Sequence, residues 1–248
     1  FSPTMKNYFI LSVIILTAMT GCGEKPQPIR IAFIQGMNPV IDTALYAPVF
    51  EDFEGVEWKA YTNEESQTLF KPENSGLYDV IIFHDICLEE IPESTKADII
   101  NVISAGKPVF VIHDGLLTYN KWDEFAKIAG MKYFMSEQWV DSVEYGVSTY
   151  KHNQEIPVRV IDKAHFITQG ISPEFTLHDE IYGKLYQSPE IHPLWITTHP
   201  ECNQVIMYTH KYGNGKVVGI VPGHGPGIFS DKNYKTAFQR AILWLTEK

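Results

Sequence analysis

Three short stretches of the chain are apolar almost without a break: IRIAFIQG at 29–36, YDVIIFHD at 78–85 and KPVFVIHDG at 107–115. A strand with one face in water alternates; a continuous run has to be covered on both faces. That is the condition of a parallel sheet held between layers of helix. Between these runs the period lengthens. Residues 93–105 set Ile99, Ile100 and Ile103 at helical spacing, and residues 119–129 do the same with Trp122, Phe125, Ala126 and Ala129. The last segment, SDKNYKTAFQRAILWLTEK, opens with the capping residues Ser230 and Asp231 and repeats Tyr234, Phe238, Ala241 and Leu245 along one face. Strand, helix and strand in succession predict an α/β fold, a doubly wound, mostly parallel sheet flanked by helices. Residues 143–162 depart from this pattern. They alternate apolar with polar, as antiparallel strands do, and predict a β-rich insertion. With no internal repeat and no low-complexity linker, residues 29–248 read as a single domain.

The N-terminal end follows another pattern. From Met5 it runs MKNYFILSVIILTAMTGC, a lone Lys6, an apolar stretch at 8–19, then small residues before Cys22. This is the form of a secretory leader, and the stretch is shorter than the ~20 residues of a membrane span. Small residues directly before a cysteine resemble the bacterial lipoprotein processing site. The expectation is a signal peptide over 1–22, cleaved before a lipidated Cys22, with 23–28 as a tether. The protein would then sit at the bacterial cell envelope, held by its lipid and not by a spanning helix. Export would permit a disulfide between Cys87 and Cys202; two buried thiols fit the sequence equally.

Charge narrows the partners. The 248 residues carry a net charge of −10, and such a surface repels phosphate backbones, which excludes nucleic acid. Aromatic residues make up 13%, enough to line a sugar site, although the same residues fill cores.

Candidate chemistry gathers where the apolar runs stop. In open α/β sheets, ligands bind beyond the carboxyl ends of the strands. One run ends in His84 and Asp85, the next in His113 and Asp114, and a later one, KVVGIVPGHGPG, in His224 between Gly223 and Gly225. If these strands are parallel, the three imidazoles share one edge of the sheet. A further cluster is HDEIY, with His178, Asp179, Glu180 and Tyr182. In an extended segment His178, Glu180 and Tyr182 point one way and Asp179 and Ile181 the other, which makes Glu180 and Tyr182 a candidate acid/base pair. His152, His192, His199 and His210 are read as structural or surface residues. No HExxH pairing is present, so a divalent metal such as Zn²⁺ would need histidines and carboxylates brought together only by the fold.

The segments GKPVFVIHDGLLTYNKWDEFAKIAG, HFITQGISPEFTLHDEIYG and YTHKYGNGKVVGIVPGHG, with the terminal AILWL, resemble the trehalose-utilisation (ThuA-like) family, within the class I glutamine-amidotransferase-like fold. The middle segment is the most specific, with His165, Gly170, Asp179, Glu180 and Tyr182 in the family's order. The chain departs from the pattern at QVIMYTHKYG, where relatives carry a Pro and a Trp before the Tyr-Gly. The resemblance puts His113 at the sharp turn that holds a nucleophilic cysteine in amidotransferases, so glutamine hydrolysis is not expected. It implies a small-molecule sugar substrate, specifically a 3-keto-glycoside supplied by a partner sugar 3-dehydrogenase, processed by acid/base elimination and hydration or by isomerisation. Glu180 or His113 is then the base. His224, with the amides of Gly223 and Gly225, faces the oxyanion. Asp179 and Tyr182 belong to the catalytic set, and His84, Asp85 and Asp114 to the substrate site. A non-catalytic carbohydrate-binding surface lipoprotein and a metal-dependent hydrolase are the alternatives.

Overall fold

Nine strands form one sheet whose first five neighbours run the same way. The computed structural model describes residues 27–35 and 43–247. The expected leader, the lipidated Cys22 and residues 23–26 of the tether lie outside the described residues. The strands are β1 (Ile29–Gln35), β2 (Val56–Tyr61), β3 (Val80–His84), β4 (Val109–Ile112), β5 (Thr149–Val160), β6 (Glu174–Gly183), β7 (His192–Thr197), β8 (Val205–Tyr212) and β9 (Gly215–Ile220). Their order across the sheet is β2-β1-β3-β4-β9-β8-β7-β5-β6. Strands β2, β1, β3, β4 and β9 are mutually parallel, and β8, β7, β5 and β6 continue as an antiparallel extension. The continuous apolar runs are the parallel strands: every residue of β3 and β4 is buried, as is β1 from Ile31 onward. The alternating middle segment supplies β5, which with β6 forms the far end of the sheet.

The helices expected from periodicity are α1 (Glu93–Ser104), α2 (Asp123–Ala129) and α3 (Lys232–Thr246). Asp231 caps α3, accepting the amides of Asn233 and Tyr234 at 2.9 Å each, a contact worth about 1 kcal/mol. The face of Tyr234, Phe238, Ala241 and Leu245 is buried as its spacing requires. Helix α2 begins four residues later than its apolar spacing suggests. Tyr119 has φ of +48°, a left-handed conformation that no helix interior accommodates, and the chain turns there before Trp122. No helix among the described residues is long and apolar enough to cross a membrane. Cys87 and Cys202 are both free, so no disulfide joins them.

Because β3, β4 and β9 are adjacent and parallel, their carboxyl ends lie together. His84 closes β3, His113 follows β4, and His224 follows β9 by four residues. The centroids of the His84 and His113 rings are 6.4 Å apart, and those of His113 and His224 are 5.3 Å apart.

Candidate active site

One carboxylate oxygen organises this edge of the sheet. Glu180 Oε2 lies 2.9 Å from Nδ1 of His224, 3.3 Å from Nδ1 of His152 and 3.4 Å from Nε2 of His113. Three separate devices bring the imidazoles to it.

The first is a left-handed elbow. Directly after β4 the chain turns at His113 with φ of +41°. A non-glycine residue there is uncommon and strained, and such residues cluster at functional sites. Packing is close directly after the turn: a Cβ on Gly115 would sit 2.2 Å from the Phe83 carbonyl oxygen. His113 is fully buried. A carbonyl only accepts, so the ring's Nδ1–H donates to Val221 O over 2.7 Å, leaving Nε2 directed at Glu180.

The second device is a clamped loop. Both oxygens of Asp179 are taken by successive backbone amides: Oδ2 accepts from Gly223 (2.5 Å) and His224 (3.0 Å), and Oδ1 from Gly225 (2.8 Å). His84 grips the same loop from below. Its Nε2–H donates to the Gly223 carbonyl over 2.8 Å, and its Nδ1 accepts from the Tyr46 hydroxyl at 2.6 Å. His224 is thereby fixed on the rim, its side chain 46% exposed.

A bulge is the third. Along the β5–β6 ladder Lys151 pairs with Ile181 and Gln154 with Asp179, so His152 and Asn153 together oppose Glu180 alone. Asn153 takes φ of +54°, which asparagine tolerates better than most residues. A bulge re-aims a side chain, and here it brings His152 onto the carboxylate. The sequence reading left His152 among the structural or surface residues. Its one signal was the HN pair inside an otherwise alternating strand.

The remaining expected residues separate into two groups. Tyr182 stacks on His113, ring centroids 4.2 Å apart and 18° from parallel, and its hydroxyl donates to Asp114 Oδ1 at 2.9 Å. Glu180 and Tyr182 therefore meet through His113 and not as a direct pair. The amides of Gly223 and Gly225 do not face an oxyanion, because Asp179 accepts both; Asp179 accordingly positions the loop and is not itself a proton donor or base. His84 and Asp85 lie beneath the site and do not line the cleft. Asp85 is buried and accepts from Thr118 Oγ1 (2.6 Å) and Asn63 Nδ2 (2.7 Å). The cleft itself, about 520 Å³, is lined by His152, Asn153, His178, Asp179, Glu180 and His224 together with the loop 225–227.

Electrostatics follow the geometry. Burial works to lower the pKa of His113, but the hydrogen bond to Glu180, the charges of Asp114 and Asp179 and the Val221 carbonyl outweigh it and hold it above the ordinary histidine value. His84 moves the other way, chiefly through burial, so it stays neutral. Burial would raise Asp114, yet His113, His84, the Tyr182 hydroxyl and His224 bring it below the usual carboxylate range. Burial, and then the Asp114 and Glu180 charges, push the Tyr182 phenol far up, so it remains a donor.

A family model described as ThuA, trehalose utilisation, matches residues 12–245. The chain belongs to this family. No curated protein matches it in sequence. Among solved structures, a ThuA-like protein from Parabacteroides merdae ATCC 43184 superposes with a TM-score of 0.71 at 14% identity, covering 89% of this chain and 91% of that one. A ThuA-like protein from Bacteroides uniformis ATCC 8492 gives 0.65 at 15%, covering 92% and 96%. A protein of Salmonella typhimurium LT2, described as cytoplasmic, gives 0.61 at 14%, covering 88% and 99%. At these identities the likeness is one of fold. The family places the chain broadly in carbohydrate utilisation.

Proposed function

We propose that this ThuA-family protein is an enzyme that processes oxidised sugars, acting on 3-keto-glycosides by elimination and hydration. The observation that carries the reading is the Glu180 carboxylate at the wall of an open cleft, ringed by three imidazoles from three different segments. A ketone at C3 acidifies the hydrogen at C2. Glu180 removes that proton, and the electron pair passes into the enolate. As the C1–O bond breaks, His224, on the rim, delivers a proton to the departing oxygen. Water adds to C1 of the resulting enone and a proton returns to C2, which completes the hydrolysis. Positioned acid/base groups of this kind contribute about 10²–10⁴-fold in rate. His113 stands behind Glu180 and holds it in register. The substrate would come from a dehydrogenase that oxidises the sugar at C3.

The test is incubation of the purified protein with 3-keto-trehalose and with a 3-keto-glucoside. Consumption that is lost in Glu180→Gln supports the reading. No consumption, with or without added divalent metal, removes it. The leader ending in Cys22 supports attachment at the cell envelope; Cys22→Ser is expected to release the protein from the membrane fraction.

A further inference from the structure

We propose that His113, Glu180 and His224 form a binding site for one divalent first-row transition-metal ion, zinc foremost. The donor atoms of His113, Glu180 and His224 all lie within 4.8 Å of one another. Tetrahedral zinc with bonds of about 2.0–2.2 Å separates its ligand atoms by roughly 3.3–3.6 Å. The contacts of 2.9 Å from His224 and 3.4 Å from His113 to Glu180 Oε2 are already near that spacing.

The orientation of His113 is the decisive point. Its Nδ1–H is committed to the Val221 carbonyl, so Nε2 is the ring atom turned toward Glu180 Oε2 at 3.4 Å and toward Asp114 Oδ1 at 3.7 Å. A carbonyl bond that fixes the tautomer of a histidine in this way is the usual outer support of a metal ligand. The three ligands also come from segments that are immobilised independently, by the elbow, the strand ladder and the Asp179 clamp, so the set is organised before any ion arrives. Two imidazoles and one carboxylate favour zinc and its neighbours over magnesium or calcium, which take oxygen. Three protein ligands with an open side toward the cleft is the pattern of a catalytic site, not a structural one. Bound there, the ion would supply the positive charge for a developing enolate oxygen, a role that the amides of Gly223 and Gly225 cannot fill.

The experiment uses the full untagged chain, stripped with a chelator and titrated with Zn²⁺ and with Co²⁺ by calorimetry and visible absorption, without any sugar. One equivalent per chain and a cobalt spectrum of mixed nitrogen and oxygen ligation are expected. His224→Ala and Glu180→Gln should each weaken binding at least tenfold, while His192→Ala, at a histidine paired with Asp162 on the surface, should leave it unchanged. Absence of saturable binding, or equal binding in His224→Ala and Glu180→Gln, would overturn the proposal. A protein that binds no metal yet consumes keto-sugar sinks the metal site and keeps the acid/base reading; one that binds metal but is inert toward keto-sugars does the reverse.

Discussion

The carboxylate of Asp179 lies 2.5 Å from the backbone nitrogen of Gly223, and the same side chain holds the next two amides of that loop. Removing it strands three N–H donors. Asp179→Ala is expected to destabilise the fold by about 1–3 kcal/mol and to lower kcat more than it changes KM, because His224 loses its place. Urea unfolding and keto-sugar kinetics check both parts.

His152 reaches Glu180 only through the bulge, and its side chain is 54% exposed. His152→Ala should therefore leave stability within about 0.5 kcal/mol of the parent while lowering turnover about tenfold. Deleting Asn153 to restore a regular ladder should reproduce the loss of activity with His152 still present.

At the elbow, residue type is limited by the backbone. With φ of +41° at position 113, His113→Asn is expected to fold and His113→Val to cost about 1–3 kcal/mol more, since β-branched residues fit the left-handed region worst. Equal unfolding midpoints for the two variants would contradict the strain argument.

Beneath the site, Lys132 is fully buried, its ammonium donating to the carbonyls of Thr118 and Tyr119. Burial lowers its pKa from 10.5 to about 7, despite the opposing pull of Cys87 and Asp85. Asp85, also chiefly through burial, is raised from 3.8 to about 6. From pH 7 to 10 the unfolded chain holds a proton that folded Lys132 has released, so stability should rise with pH. From pH 4 to 6 folded Asp85 keeps a proton the unfolded chain has lost, so stability should fall as pH rises. Lys132→Met is expected to flatten the upper limb of a stability–pH curve and leave the lower limb in place.

Much of this was legible in the residues. The uninterrupted apolar runs at 29–36, 78–85 and 107–115 could be read as a covered parallel sheet because no other arrangement buries both faces. The shared edge of His84, His113 and His224 followed from that alone. What the pattern concealed was local. Alternation along β6 sends Asp179 and Glu180 to different partners, as expected, but a spacing rule does not reveal that Asp179 meets three amides from a loop 44 residues away. The bulge was invisible for a similar reason: one extra residue in a ladder leaves the hydropathy of 149–160 unchanged and re-aims a single imidazole. The start of α2 differs from the spacing because Tyr119 and Trp122, which precede the helix, are buried as residues within it are.

The elbow at His113 sets backbone geometry without dictating what the side chain does. The backbone around it is closely packed, with Phe83 against Gly115, so the position acts as a socket. Any side chain that tolerates the left-handed turn would be presented to Glu180 from the same place, with the surrounding backbone left as it is.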